Sequence, residues 1–182
     1  MSLDFAHLHV ASGFSMRYGA SMPEDLVERA AQHGQSALAL TDRDGLYGAV
    51  RFTTAAAKAG IAPVLGVDLA CIDLAGVDPA HDFREPARRT RTPVRGGAYV
   101  DPRLPRVTLL GRGIASGAPH KAGWRALCRI VSEAHAEALA RDDRGRPVTS
   151  RAGIEQWGRQ ADALVVLLGP DSDVGRAVLH RR

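Results

Sequence analysis

His7 and His9 stand two residues apart near the start of the chain, inside Phe5-Ala-His-Leu-His-Val10. An extended strand sends successive side chains to opposite faces, so the spacing predicts both imidazoles on one side and Leu8 on the other. Two neutral imidazoles side by side form half of a metal site, able to hold a divalent ion that polarises an ester or activates water. Asp42, in Leu38-Ala-Leu-Thr-Asp-Arg-Asp-Gly45, and Asp68, in Gly66-Val-Asp68, offer carboxylates that suit the same ion. A lone His-x-His fits a surface pair as well as a metal site, so the surrounding elements must decide.

Those elements follow from pattern. Alternation over residues 5–10 predicts a strand, followed by a Gly/Ser-rich loop over 11–20. Ser21-Met-Pro-Glu24 has the spacing of a capping box and opens a helix with an apolar stripe of Leu26, Val27, Ala30 and Ala31, ending at Gly34. Ala37–Leu40 predicts a buried strand, residues 48–59 a helix stopped by Gly60, and Ile61–Leu65 a third strand. The order βαβαβ implies parallel strands with right-handed crossovers, and it places Asp42 and Asp68 just beyond strand C-termini, where such sheets build their sites. Residues 73–105, rich in Pro, Gly, Asp and Arg and without periodicity, predict a loop or hairpin insertion. Residues 106–110 then read as a strand, 122–140 as a long helix burying Trp124, Leu127, Cys128, Ile130 and Val131, and 150–158 as a helix. Residues 163–168 read as a buried parallel strand, and Gly169–Val174 opens a last helix. Five strands do not close a barrel, so the sequence reads as the front of a larger unit.

Composition excludes several classes. With 182 residues, 45% of them hydrophobic and 24% charged, the chain suits one globular domain rather than a disordered one. The sequence has neither a long apolar run nor a signal-peptide pattern, which predicts a cytoplasmic protein without a membrane partner. Cys71 and Cys128 lie in separate apolar segments and read as core residues, not as a disulfide or zinc pair. The formal charge is only +4, and Lys58 and Lys121 are the only lysines. The arginines between Arg84 and Arg106 read as a solvated loop in preference to a phosphate-binding patch. His33, His81, His120 and His180 read as exposed or terminal, and His135 as a partner of a helix C-terminal dipole. Trp124 and Trp157 read as core, and Gly111–Gly117 lacks a nucleotide-loop lysine pattern.

Several stretches together resemble a known family: Phe5-Ala-His-Leu-His-Val-Ala-Ser12, Leu38-Ala-Leu-Thr-Asp-Arg-Asp-Gly-Leu-Tyr-Gly48, Ala59-Gly-Ile-Ala-Pro-Val-Leu-Gly-Val-Asp68 and Gly123-Trp-Arg-Ala-Leu-Cys-Arg-Ile-Val-Ser-Glu-Ala-His135. In order and content they resemble the PHP (polymerase and histidinol phosphatase) domain at the N-terminus of the alpha subunit of bacterial DNA polymerase III. The Ser-Glu-Ala-His ending resembles in particular the error-prone, second alpha-type polymerases of GC-rich actinobacteria. The resemblance implies an α/β fold, a distorted TIM-like (β/α) barrel incomplete in this chain, with residues 1–182 as the front part of the domain.

It also implies a metal site, of which His7, His9, Asp42 and Asp68 are the candidate ligands. Ala11, Arg43 and Arg106 fall where the family carries histidines, and Asp68 replaces a glutamate. Alanine gives no donor and a guanidinium has no lone pair, so the expectation is a degenerate site in which Arg43 pairs with Asp42 and Asp68. Such a site would hold one zinc or manganese ion or none, with magnesium confined to the palm of the parent polymerase. The implied function is a structural domain of a DNA polymerase (nucleotidyltransferase) in DNA replication or repair synthesis. Its partners would be the palm and thumb, and DNA through the full-length protein. The alternative is an active metal-dependent phosphoesterase, either a proofreading exonuclease or a histidinol-phosphatase-like enzyme.

Overall fold

The computed structural model describes residues 5–73, 104–113, 121–140, 147–159 and 162–180. Residues 74–103 of the expected insertion, with its arginines before Arg106, His81, His120 and most of the Gly-rich stretch at 111–117 lie outside them. In chain order the elements are α1 (Pro23–Gln32), β1 (Ala37–Arg43), α2 (Ala49–Ala59), β2 (Ala62–Ile72), β3 (Arg106–Gly111), α3 (Ala122–Ala140), β4 (Val148–Ser150), α4 (Arg151–Gly158), β5 (Leu164–Leu167) and α5 (Asp173–His180).

The strands form one mixed sheet in the order β1-β2-β3-β5, with β4 also paired to β2. Asp68 of β2 faces Arg43 of β1 on one edge and Thr108 of β3 on the other. Ala70 pairs with both Arg106 and Val148, so β4 continues the edge that β1 begins. β1 and β4 run parallel to β2, but β3 is antiparallel to β2 and β5 antiparallel to β3. This corrects the all-parallel expectation. A parallel return needs a crossover of a dozen or more residues, usually helical, and the sequence between β2 and β3 has no helical periodicity.

Three local expectations also change. The first strand shrinks to an isolated bridge between His7 and Leu38, with a bend at Leu8, although Ala39 and Thr41 still donate backbone hydrogen bonds to the carbonyls of His7 and Val10. The helix cap falls one residue late: Met22 is the N-cap, and Asp25, not Glu24, accepts the Met22 N–H at 3.2 Å. β5 is an edge strand with Val165 and Val166 exposed, because no described strand lies beyond it. The ends of α2 and α3 fall at the expected residues. Gly60, at φ 70°, terminates α2 in the left-handed region that glycine reaches without cost.

One core sits on one face of the sheet. Leu38 and Leu40 of β1, Leu65, Val67, Leu69 and Cys71 of β2, and Val107 and Leu109 of β3 cluster there with Val27, Phe52, Leu127 and Ile130 from the helices. Cys71 is inert there, its thiol pushed up to about 12 chiefly by burial. Trp124 and Trp157 pack partly buried against this core, and the Trp157 indole N–H donates to Glu133 at 2.7 Å. The pleat sends the intervening residues, Thr41 and Arg43, Gly66 and Asp68, Arg106 and Thr108, to the opposite face. Gly66 marks the tightest point of the sheet: a Cβ there would stand 2.5 Å from the Leu109 carbonyl oxygen. Gly66→Ala should therefore destabilise the fold by about 1–3 kcal/mol in urea unfolding, as overpacking against backbone does.

Candidate functional site

The register separates the two aspartates. Asp42 lies in β1 and not beyond it, and Asp68 lies midway along β2, which runs on to Ile72. Arg43 and Asp68 are register partners, so they share a face, while Asp42 shares the core face with Val67. Asp42 is 1% exposed and acts as an internal acceptor. The Ser12 backbone N–H donates to its Oδ1 at 2.7 Å, the Ser12 hydroxyl stands 2.8 and 2.9 Å from its two oxygens, and the Ser15 hydroxyl donates to Oδ1 at 2.7 Å. Ser15 in turn accepts the Arg43 backbone N–H at 2.8 Å. The loop after the histidines is thus pinned to β1 by a carboxylate whose hydrogen-bonding capacity is used within the protein. The expected Arg43–Asp42 pair does not form, because the two side chains leave the strand on opposite faces.

The other face holds a charged network. Arg106 Nε donates to Asp68 Oδ1 at 3.0 Å, and its Nη2 donates at 2.7 Å both to Asp44 Oδ1 and to the Asp68 carbonyl. The Arg43 guanidinium is 3.8 Å from Asp44 Oδ2 and 4.0 Å from Asp68 Oδ2, and it stacks 4.0 Å from the centre of the Tyr18 ring. His9 Nε2 approaches Asp68 Oδ2 to 3.8 Å. His135, from α3, lies with Nε2 2.7 Å from the Asp44 carbonyl oxygen. This corrects the helix-dipole reading of His135: the histidine braces Asp44, which is held at φ 60°. His7 packs edge-on against Phe5 at 4.7 Å, and the bend at Leu8 removes the alternation that would have aligned it with His9.

Of the four expected ligands, therefore, only His9 and Asp68 come together. Among the described residues no group of three or more His, Cys, Asp or Glu side chains is placed to hold an ion. Asp42 is engaged by Ser12 and Ser15, whereas Asp68 gives Oδ1 to Arg106 and keeps Oδ2 3.8 Å from His9 Nε2. Sequence reasoning missed Ser12, Ser15, Tyr18 and Asp44, and it underrated Arg106, the tightest partner of both exposed-face carboxylates. Asp44, two residues after Asp42, was the available signal, because a strand puts such residues on the same face only until it ends; here the turn after Arg43 carries Asp44 to Arg106.

Electrostatics follow the contacts. Burial pushes the Asp68 carboxyl up, but His9, Arg106 and Arg43 outweigh it and hold the pKa below its ordinary 3.8. The Asp68 carboxylate raises His9 above its ordinary 6.5. The Asp68 contribution to stability is present above pH 3.8 and is lost as pH falls through its lower folded value. The His9 contribution is complete below 6.5 and is lost as pH rises through its higher folded value.

Two outcomes are expected. Asp42→Ala should cost about 3 kcal/mol or more in urea unfolding, because each orphaned buried donor costs about 1–3 kcal/mol. As pH rises from 6.5 through the raised folded value of His9, the wild type should lose stability relative to His9→Gln, by less than about 1 kcal/mol because the His9 side chain is 60% exposed and screened by solvent. A difference that stays flat with pH would remove His9 from the network.

Comparison with known proteins agrees with the residues quoted above. A family model described as "PHP domain" matches residues 7–181. Over 146 residues the chain is 39% identical to the error-prone DNA polymerase of Mycolicibacterium paratuberculosis, covering 80% of this chain and 11% of that protein. The error-prone DNA polymerase of Mycobacterium tuberculosis is 40% identical over 146 residues, with the same coverage of each. A 67-residue stretch is 54% identical to the error-prone DNA polymerase of Corynebacterium efficiens, covering 37% of this chain and 6% of that protein. Among solved structures, an amidohydrolase from Chromobacterium violaceum with bound sulfate and no metal superposes with a TM-score of 0.39 at 22% identity, over 76% of this chain and 35% of that one. This chain, which spans about a tenth of the length of the first of these polymerases, belongs to the PHP domain family.

Proposed function

We propose that this chain is the front part of the N-terminal PHP domain of a DNA polymerase III alpha-type protein of the error-prone kind. In this reading the domain is a structural support with a degenerate metal site. The observation that carries it is Arg106 bridging Asp44 and Asp68 at 2.7 and 3.0 Å, with Arg43 beside them. Buried carboxylates need a positive charge near them, and a fixed guanidinium supplies one with directed N–H groups. A divalent ion would meet the same need, but with two arginines there it would add charge to a region already neutralised. His7, His9 and Asp42 are vestiges of the family's ligand set in this reading, and the sheet is one side of a distorted barrel.

In this reading no hydrolytic step is assigned to these residues. Their work is to lock the β1–α2 turn, β2 and β3 into one rigid face. The palm and thumb of the full-length protein are the partners that such a face would support, with DNA contacted through the whole polymerase. The similarity to error-prone polymerases along four-fifths of the chain supports that placement.

Metal content tests it. After dialysis against zinc or manganese, the native chain should retain well under one ion per molecule by elemental analysis, and Arg43→His should retain more. Two or three ions on the native chain, with cleavage of single-stranded DNA, would sink the structural reading and establish a phosphoesterase. Arg106→Met should destabilise the fold by about 3–5 kcal/mol, the cost of leaving partly buried carboxylates without their partner.

A further inference from the structure

Away from this network, α1 and α2 lie side by side and leave a surface groove of about 550 Å³ between them. The α1 wall carries Glu24 and Glu28, and the α2 wall carries Arg51 and Lys58. Each set sits on a single helix face, at i, i+4 and i, i+7 spacing. Glu24 and Arg51 close one end through a bidentate pair, at 2.6 and 3.0 Å. Beyond that clasp the charges are unspent. Lys58 has no ion pair among the described residues, and the contact recorded for the Glu28 carboxylate is the Gln32 amide at 3.4 Å.

Between the walls the groove is apolar and shallow-sided, lined by Ala31, Ala55 and Ala59, whose small side chains admit another element closely. Val50 stands at its α2 edge, 74% exposed, and Tyr47, three residues earlier, is 65% exposed. Single exposed apolar residues are ordinary, but a bare valine at the rim of an alanine-lined groove, with Val27 beside it, makes a surface suited to being covered.

We propose that this face is occupied by the same face of a second copy of the chain. The charge arrangement favours that occupant, because an acidic wall beside a basic wall is self-complementary about a two-fold axis. The rotation sets Glu28 against the partner's Lys58, and Lys58 against the partner's Glu28. Each Val50, beside its own Glu24–Arg51 clasp, then lies against the clasp end of the other copy's groove. The surface is smaller than the 20–30 residues a side of a standard interface, so the dimer is weak, with a dissociation constant on the order of tens of micromolar. This proposal is independent of the metal reading.

Sedimentation of the full 182-residue chain at low salt, from about 5 to 500 µM, tests it. The expected result is a dimer that grows with concentration and weakens with salt. Glu28→Lys and Lys58→Glu should each weaken it about tenfold or more, the Glu28→Lys/Lys58→Glu double variant should restore it, and Val50→Asp should abolish it. These positions are on the surface, so unchanged thermal melts confirm that each variant is folded. A chain that stays monomeric throughout overturns the proposal and leaves the groove to a helix of another protein. A dimer indifferent to these substitutions overturns it too, and directs attention to another face such as the edge of β5 that no described strand covers.

Discussion

A buried carboxylate and a partly buried one on neighbouring strands, one facing each side of the sheet, set the problem that the rest of the structure answers. An ionised carboxylate taken out of water without partners is too costly to keep, so each must be given donors or positive charge by whatever packs against it. Asp42 receives donors and Asp68 receives charge. The difference follows from where they point. Asp42 faces the core, where the nearby loop offers hydroxyls and a backbone N–H, and Asp68 faces the open side, where Arg43 stands in register on β1 and Arg106 reaches across from the position opposite Ala70 on β3.

The consequences spread through the fold. Because Asp42 is satisfied by Ser12 and Ser15, the loop at 11–19 is tied to β1, and Ser15 extends the tie by accepting the Arg43 N–H. That fixes the strand's last residue and so the start of the turn that holds Asp44. Arg106 then joins β3 to both β2 and that turn, and His135 secures the turn from α3. Five segments distant in sequence meet through these side chains, of which Ser15 and Arg106 each serve two partners. Networks of this kind are stiff, since removing one member leaves several polar groups unpaired at once. Stiffness of this kind is what the proposed supporting role would draw on.

How much of this was legible varied with range. Helices α2 and α3 stood out because their periodicity and stop signals are local: Gly60 ends one, and an unbroken apolar stripe with few breakers carries the other. The strand at β1 was visible from its apolar run, but its length was not, since Thr41-Asp-Arg43 is polar and joins the sheet only because β2 pairs with it. The apolar run at β5 promised burial on both faces, and burial depends on neighbours that the described sheet does not provide. The short β4 was invisible: three residues carry no period, and their strand character comes from the free edge of β2.

The sequence by itself determined the family, the α/β character and the charge chemistry. Residue types are decided there, and Arg43 and Arg106 cannot donate lone pairs whatever surrounds them. Only the tertiary structure decided which charges meet. Asp42, Arg43 and Asp44 are consecutive, yet the first turns to the core, the second leaves on the other face, and the third is carried by a turn to Arg106, which lies 62 positions away in sequence. Strand alternation depends on register, and register is set by pairing between distant segments, so a shift of one residue would exchange the partners of every side chain in the site.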